Sequence, residues 1–238
     1  MSDYLLMVLE DEDAHAALPA HALADLIERR SAFERDSREG GHLRDSGHLR
    51  PSKEAARAPR ERWARRAPRA VRGRREDPSG PITGLIAAPS ADAAAKLAEA
   101  CPALASDEID VRPVMKGTRP NGDLDKPGKI FACVVLGRAT SEDAWVEVMN
   151  RIDAASRERS PEASFLGGVR LEPPRSGRRV ATRGERRAVV DGPFLESKEV
   201  IGGIFLLRMA QMDDAVRWAG TQGFVAHGTL EIRERWRT

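Results

Sequence analysis

Three groups of residues have the types and spacing to do chemistry. The first is Asp191-Gly192-Pro193-Phe194, with Glu196 and Lys198 just beyond it. A carboxylate that ends a strand and precedes Gly-Pro can be held at a pocket mouth as a general base, with Glu196 and Lys198 close enough to shift its pKa. The plainer reading is that Asp191 caps its own turn by accepting backbone N–H bonds while Pro193 fixes the bend. Glu196 and Lys198 share one side of an extended chain, where a salt-bridged edge is the alternative to a site. The second group is His15, His21, His42 and His48. Imidazoles suit acid/base work near neutral pH or metal ligation, but His42-x-x-Asp45 with His48 does not have zinc-motif spacing, and exposed histidines on a glycine-rich turn are favoured there. The third group is the arginine run of Arg57, Arg60, Arg62, Arg65, Arg66, Arg69, Arg72, Arg74 and Arg75. It could contact phosphates, yet it has one Trp63, no interleaved aromatics and no groove-sized helix, so a solvated loop is favoured over a nucleic-acid binder.

Composition narrows the classes. The 238 residues, 41% hydrophobic and 32% charged, are enough for two domains with a core each. With 39 basic and 37 acidic residues the balance names neither nucleic acid nor an anionic surface as partner. Cys101 and Cys133 form no CxxC or Cys/His pattern, so neither a zinc site nor a disulfide framework is expected, and a reducing cytoplasm fits. Met1 to Glu10 has no basic leader, and no segment nears the roughly 20 apolar residues of a membrane span. The expectation is a cytoplasmic protein with no membrane partner and, since no motif implies one, no metal or organic cofactor.

The elements that would position these groups come in a repeated order. Tyr4 to Leu9 reads as a buried strand, and Ala20 to Arg38 as a helix laying Leu23, Leu26, Ile27 and Phe33 on a sheet. Gly40 and Gly41 end that helix, and His42 to Leu49 alternates toward a strand. Ile82 to Ala88 is a strand, Ser90 and Asp92 open a helix that stops near Cys101-Pro102, and Ile109 to Val114 closes the first half. The order then returns: strand Ile130 to Leu136, a helix with Trp145, Val148, Met149 and Ile152 on one face, and strand Phe165 to Leu171 with Gly167 and Gly168 in the place of Gly40 and Gly41. Val180 to Thr182 and Ala188 to Val190 read as a hairpin, followed by strand Ile201 to Met209, helix Asp213 to Gly220 and strand Thr229 to Glu234.

Each half therefore predicts a ferredoxin-like α+β unit, and two such units can pack their antiparallel sheets face to face with helices outside. The expected domains are 1–115, with an Arg-rich insert at 54–79 that keeps no strand pattern, a Gly/Pro/Asn/Asp linker at 116–128, and 129–238. The insert also has the composition of a high-GC segment translated out of frame, which the other two genomic frames would test. The partners left open are a small-molecule ligand and a homodimer beyond the intrachain pseudo-dimer.

The stretch Asp191-Gly192-Pro193-Phe194-Leu195-Glu196-Ser197-Lys198-Glu199, followed by Ile201-Gly202-Gly203, resembles the signature of the YCII-related (DGPF) family. Leu166-Gly167-Gly168, Ala215 to Ala219 and Leu230-Glu231-Ile232-Arg233 look like that family too. The first half is similar through Tyr4-Leu5-Leu6-Met7, Glu10-Asp11-Glu12 and Pro81-Ile82-Thr83-Gly84, as a degenerate copy. The resemblance implies a dimeric α/β-barrel with a pocket between sheet and helices. In the related short proteins a His and Asp pair is proposed as an active site, some relatives act as dehydrochlorinases, and many members are encoded beside extracytoplasmic-function sigma factors. The family name does not supply a reaction; the reading from the residues is acid/base chemistry on a small organic substrate in the barrel pocket, with Asp191, Glu196 and His21 as catalytic residues, His21 looking like the first-helix histidine of those proteins, and with Phe194, Lys198 and Trp145 against the substrate. The alternative is a ligand-binding or regulatory module that works beside a sigma factor without catalysis.

Overall fold

The computed structural model describes residues 1–58, 82–120, 124–137, 145, 147, 150, 165–183, 186–190, 200–221 and 228–236. The chain is a mixed α/β structure with two antiparallel sheets and few helices. Strand β1 (Ser2–Leu9) leads to a short helix α1 (Glu12–Ala16) and a long one, α2 (Ala20–Glu39). Strands β2 (Leu43–Asp45), β3 (His48–Leu49), β4 (Ala56–Ala58) and β5 (Ile82–Ala88) precede helix α3 (Ala91–Glu99) and strand β6 (Glu108–Pro113). Then come β7 (Lys129–Gly137), β8 (Phe165–Arg170), the hairpin β9 (Arg178–Arg183) and β10 (Arg186–Val190), β11 (Val200–Met209), helix α4 (Met212–Thr221) and β12 (Gly228–Trp236).

The apolar runs of β1 and β7 are unbroken because both faces of each strand are covered. In β1, Tyr4, Leu6 and Val8 pack with Ala94, Ala95 and Ala98 of α3, while Leu5 and Met7 pack with Ile130, Ala132, Val134 and Leu136 of β7. In β7 the other face, Phe131, Cys133 and Val135, meets Ala215, Val216, Trp218 and Ala219 of α4. Strand β1 thus shares one core cluster with α3 and another with β7, and β7 shares its other face with α4. Small residues on α3 and α4 let each helix lie close to its sheet. Side-chain oxygen of Ser90 accepts from the Ala93 N–H and starts α3 where the sequence places its cap.

The central strands run β6-β1-β5-β2 in one sheet and β12-β7-β11-β8 in the other. Two segments, the hairpin β9–β10 and the edge strands β3 and β4, belong in sequence to one half and in space to the other. β9 and β10 extend the first sheet through β6, pairing Ile109 with Val180, while β3 and β4 extend the second through β12, pairing Arg235 with Leu49 and Leu230 with Ala58. Each exchanged segment is held through a backbone carbonyl by an arginine of the strand it joins. Arg233 donates to the Arg50 carbonyl at 3.1 Å, and Arg112 donates to the Glu172 carbonyl. Because both arginines are 1% exposed, those bonds are made in a dry setting where losing the acceptor would be costly.

Three expectations are corrected. Ala56–Ala58 is a strand inside the segment expected to have none; an edge segment pairs through its backbone and needs no apolar pattern of its own when β12 offers free N–H and C=O groups. Gly167 and Gly168 lie inside β8 rather than in a turn like Gly40 and Gly41, and a Cβ on Gly168 would fall 2.2 Å from the Ile204 carbonyl oxygen, so glycine there permits close pairing. Helix α2 does not bury the face given by its apolar residues. Leu23 and Ile27 are 37% and 51% exposed, and the buried stripe is Leu26, Arg30, Glu34 and Ser37. The stripe keeps helical spacing but is largely polar, which burial tolerates because each charge on it is paired.

Candidate functional site

The paired charges of α2 converge with those of neighbouring elements. Asp107 sits in the turn before β6 with its carboxylate fully buried. It accepts from the backbone N–H of Leu104 at 2.7 Å and of Asp11 at 3.1 Å, which fixes its orientation. The same Asp11 caps α1 by accepting from Ala14 N–H, so the turn that presents His15 is tied to the turn that presents Asp107. His15 Nε2 lies 3.1 and 2.9 Å from the two oxygens of Asp107. Arg30 Nη1 is 2.5 Å from Glu10 Oε1, its Nε donates to the Pro102 carbonyl at 3.0 Å, and its Nη2 stands 3.7 Å from Asp107. Burial by itself lowers the His15 pKa; the hydrogen bond it donates to Asp107 and the charges of Glu10 and Asp107 outweigh that and the opposing Arg30 charge, so the net shift is upward.

The α2 stripe continues away from this pair. Glu34, buried, lies 2.8 Å from His48 Nε2, and Arg38 Nη2 donates to Ser46 Oγ at 2.9 Å. Beside it, Arg233 of β12 pairs with Glu231 at 2.7 Å and approaches Glu12 at 3.5 Å, while Glu12 accepts from both the N–H and the hydroxyl of Ser52 at 2.7 Å. Arg112 of β6 lies 5.9 Å from the Trp145 ring centre, and burial pulls its pKa down to about 10. Burial also pushes the Cys133 thiol up, which makes it a poor nucleophile.

Of the residues singled out from the sequence, Asp191, Phe194, Glu196 and Lys198 lie outside the described residues, as do Arg60 to Arg75. His21 is exposed in the first turn of α2. Trp145 is 3% exposed and its indole N–H donates to the Leu171 carbonyl at 2.9 Å. His15 and His48, grouped with exposed turn histidines at the outset, have side chains only 12% and 14% exposed and are each held by a carboxylate. Among the described residues no three His, Cys, Asp or Glu side chains are placed to hold a metal ion, and no helix is long and apolar enough to cross a membrane.

Sequence reasoning missed Glu10, Arg30 and Asp107. The spacing of Leu26, Arg30, Glu34 and Ser37 was a readable helical stripe, but nothing marked its charged members as buried. No local signal links His15 to Asp107, which are 92 residues apart. No curated protein matches the chain. Residues 129–237 match the family model of the YCII-related domain.

Proposed function

We propose that the chain is a tandem pair of ferredoxin-like units, 1–115 and 129–238 joined by 116–128, and that it performs acid/base chemistry on a small organic substrate with His15 as the proton-transferring group. The observation that carries this reading is the oriented pair: Asp107, fixed by two backbone N–H groups, holds His15 through Nε2, and no described residue hydrogen-bonds Nδ1. In the neutral tautomer the Nε2 proton points at Asp107 and the Nδ1 lone pair is the base. The proton leaves a substrate C–H or O–H for Nδ1, the substrate keeps the electron pair, and Asp107 and Glu10 stabilise the imidazolium until the proton returns. The equivalence of strand orders in the two sheets supports the tandem reading. The Asp191 to Lys198 turn remains the rival centre, with Asp191 and Glu196 as acid/base groups and Phe194 and Lys198 against substrate.

The test is solvent-deuterium exchange. Small phenols, lactones and carboxylic acids are first screened for thermal stabilisation of the protein, and those that stabilise it are incubated in D2O and followed by proton NMR. Exchange should fall about 100-fold or more in His15→Gln, the low end of what general acid/base catalysis contributes. Unchanged exchange in His15→Gln with loss in Asp191→Asn would overturn the His15 centre and move the chemistry to the rival turn.

A further inference from the structure

A cavity of about 40 Å3 lies between the two sheets, walled by Leu5, Leu85, Val169 and Ile204 together with Arg235 and Asp45. Its wall is mostly apolar, with Arg235 and Asp45 as its charged members. The Arg235 side chain is 4% exposed; its Nη2 is taken by Asp45 at 2.7 Å and by the Ser46 carbonyl at 2.6 Å. Its Nη1 is closed to solvent and has no hydrogen-bond partner among the described residues. An unmet guanidinium N–H in a dry site costs more than an ordinary missing bond, so an acceptor is expected beside it. The backbone is shaped around this side chain: a Cβ on Gly47 would fall 2.3 Å from Arg235 Nε.

We propose that this cavity binds a short-chain monocarboxylate of two or three carbons. One carboxylate oxygen accepts from Arg235 Nη1, and the alkyl end meets the leucine, valine and isoleucine wall. Size sets the chain length, since the space is about three times the roughly 10–15 Å3 that one water requires. Charge sets the class. The unmet donor belongs to a guanidinium, and a charge-assisted bond from it to an anionic oxygen is stronger than one to a neutral oxygen. A planar guanidinium also matches a carboxylate better than it matches a lone carbonyl. The site is separate from the His15 centre and does not rest on it.

The test is a titration of 15N-labelled full-length protein with sodium propionate, and separately with propionamide, at constant ionic strength, following the amide signals of Gly47, Gly84 and Gly168. Saturable shifts at these glycines are expected, with propionate binding at least tenfold tighter than propionamide. Arg235→Met should abolish the propionate shifts, Arg235→Lys should weaken them, and His15→Gln should leave them intact. Absence of saturable shifts, or equal affinity for propionate and propionamide, overturns the proposal and leaves a cavity that holds water only. If Arg235→Met does not fold, the propionate-to-propionamide ratio on the unaltered protein decides alone.

Discussion

Helices α3 and α2 cover the same half of the molecule by opposite means. The buried face of α3 is Ala94, Ala95 and Ala98, all fully buried, and α4 repeats the pattern with Ala215, Val216 and Ala219. Contacts of that kind are non-directional, and they hold each helix wherever the small side chains let it approach. The buried face of α2 instead carries Arg30 and Glu34, which must meet particular atoms on Glu10, Pro102 and His48. Such contacts fix position more sharply and depend on charge state. The polar stripe of α2 also runs from the His15 and Asp107 pair to Ser46 beside the inter-sheet cavity. The helix least suited by composition to pack is the one that joins the chemically equipped places.

That contrast can be broken experimentally. The largest effect is expected from a charge placed in an apolar seam: Ala215→Asp, fully buried on α4, should lose more than about 3 kcal/mol by urea denaturation. Arg30→Met on α2 should cost about 3 kcal/mol, because Glu10 keeps a poorly solvated charge without its partner, and adding Glu10→Gln should recover part of it. A negligible cost for Arg30→Met would mean that α2 is held by its apolar residues after all. At the His15 pair the sign follows from the raised pKa. Its stabilisation is complete below the unfolded-state value of about 6.5 and is lost as pH rises through the higher folded value. The stability advantage of the unaltered protein over His15→Gln should therefore shrink between pH 5.5 and 8.5, and growth of that advantage over the same range would refute the pairing. Ser90→Ala at the α3 cap should cost about 1 kcal/mol. Asp25→Asn, which breaks the exposed pair with Arg29, should change stability by only about 0.3 kcal/mol.

The elements that could be read from the chain are those whose signal is local. Strands β1, β7 and β11 are unbroken apolar runs, Ser90 announces α3, and the β9–β10 hairpin turns close to where its flanking residues indicate. The face of α2 was misread because hydrophobic periodicity counts residue types, and it cannot register that Arg30 and Glu34 find partners on other elements. Strand β4 was missed because backbone pairing to β12 leaves no mark on side-chain pattern. The site suffered most. His21 matched the first-helix histidine of the resembling family, whereas the carboxylate that selects His15 arrives from a turn 92 residues later.

The amino-acid order by itself determined the succession of strands and helices, the two apolar sheet faces that must cover each other, and the match of residues 129–237 to the YCII-related domain model. These follow from short-range periodicity and from burial, which act wherever the chain goes. Only the tertiary structure decided which sheet receives the β9–β10 hairpin, which receives β3 and β4, and which histidine meets a buried carboxylate. It also decided where Arg235 is left with an unmet N–H. Hydrogen bonds and ion pairs are short-ranged and directional, so their partners are chosen by the packing of distant segments rather than by neighbours along the chain.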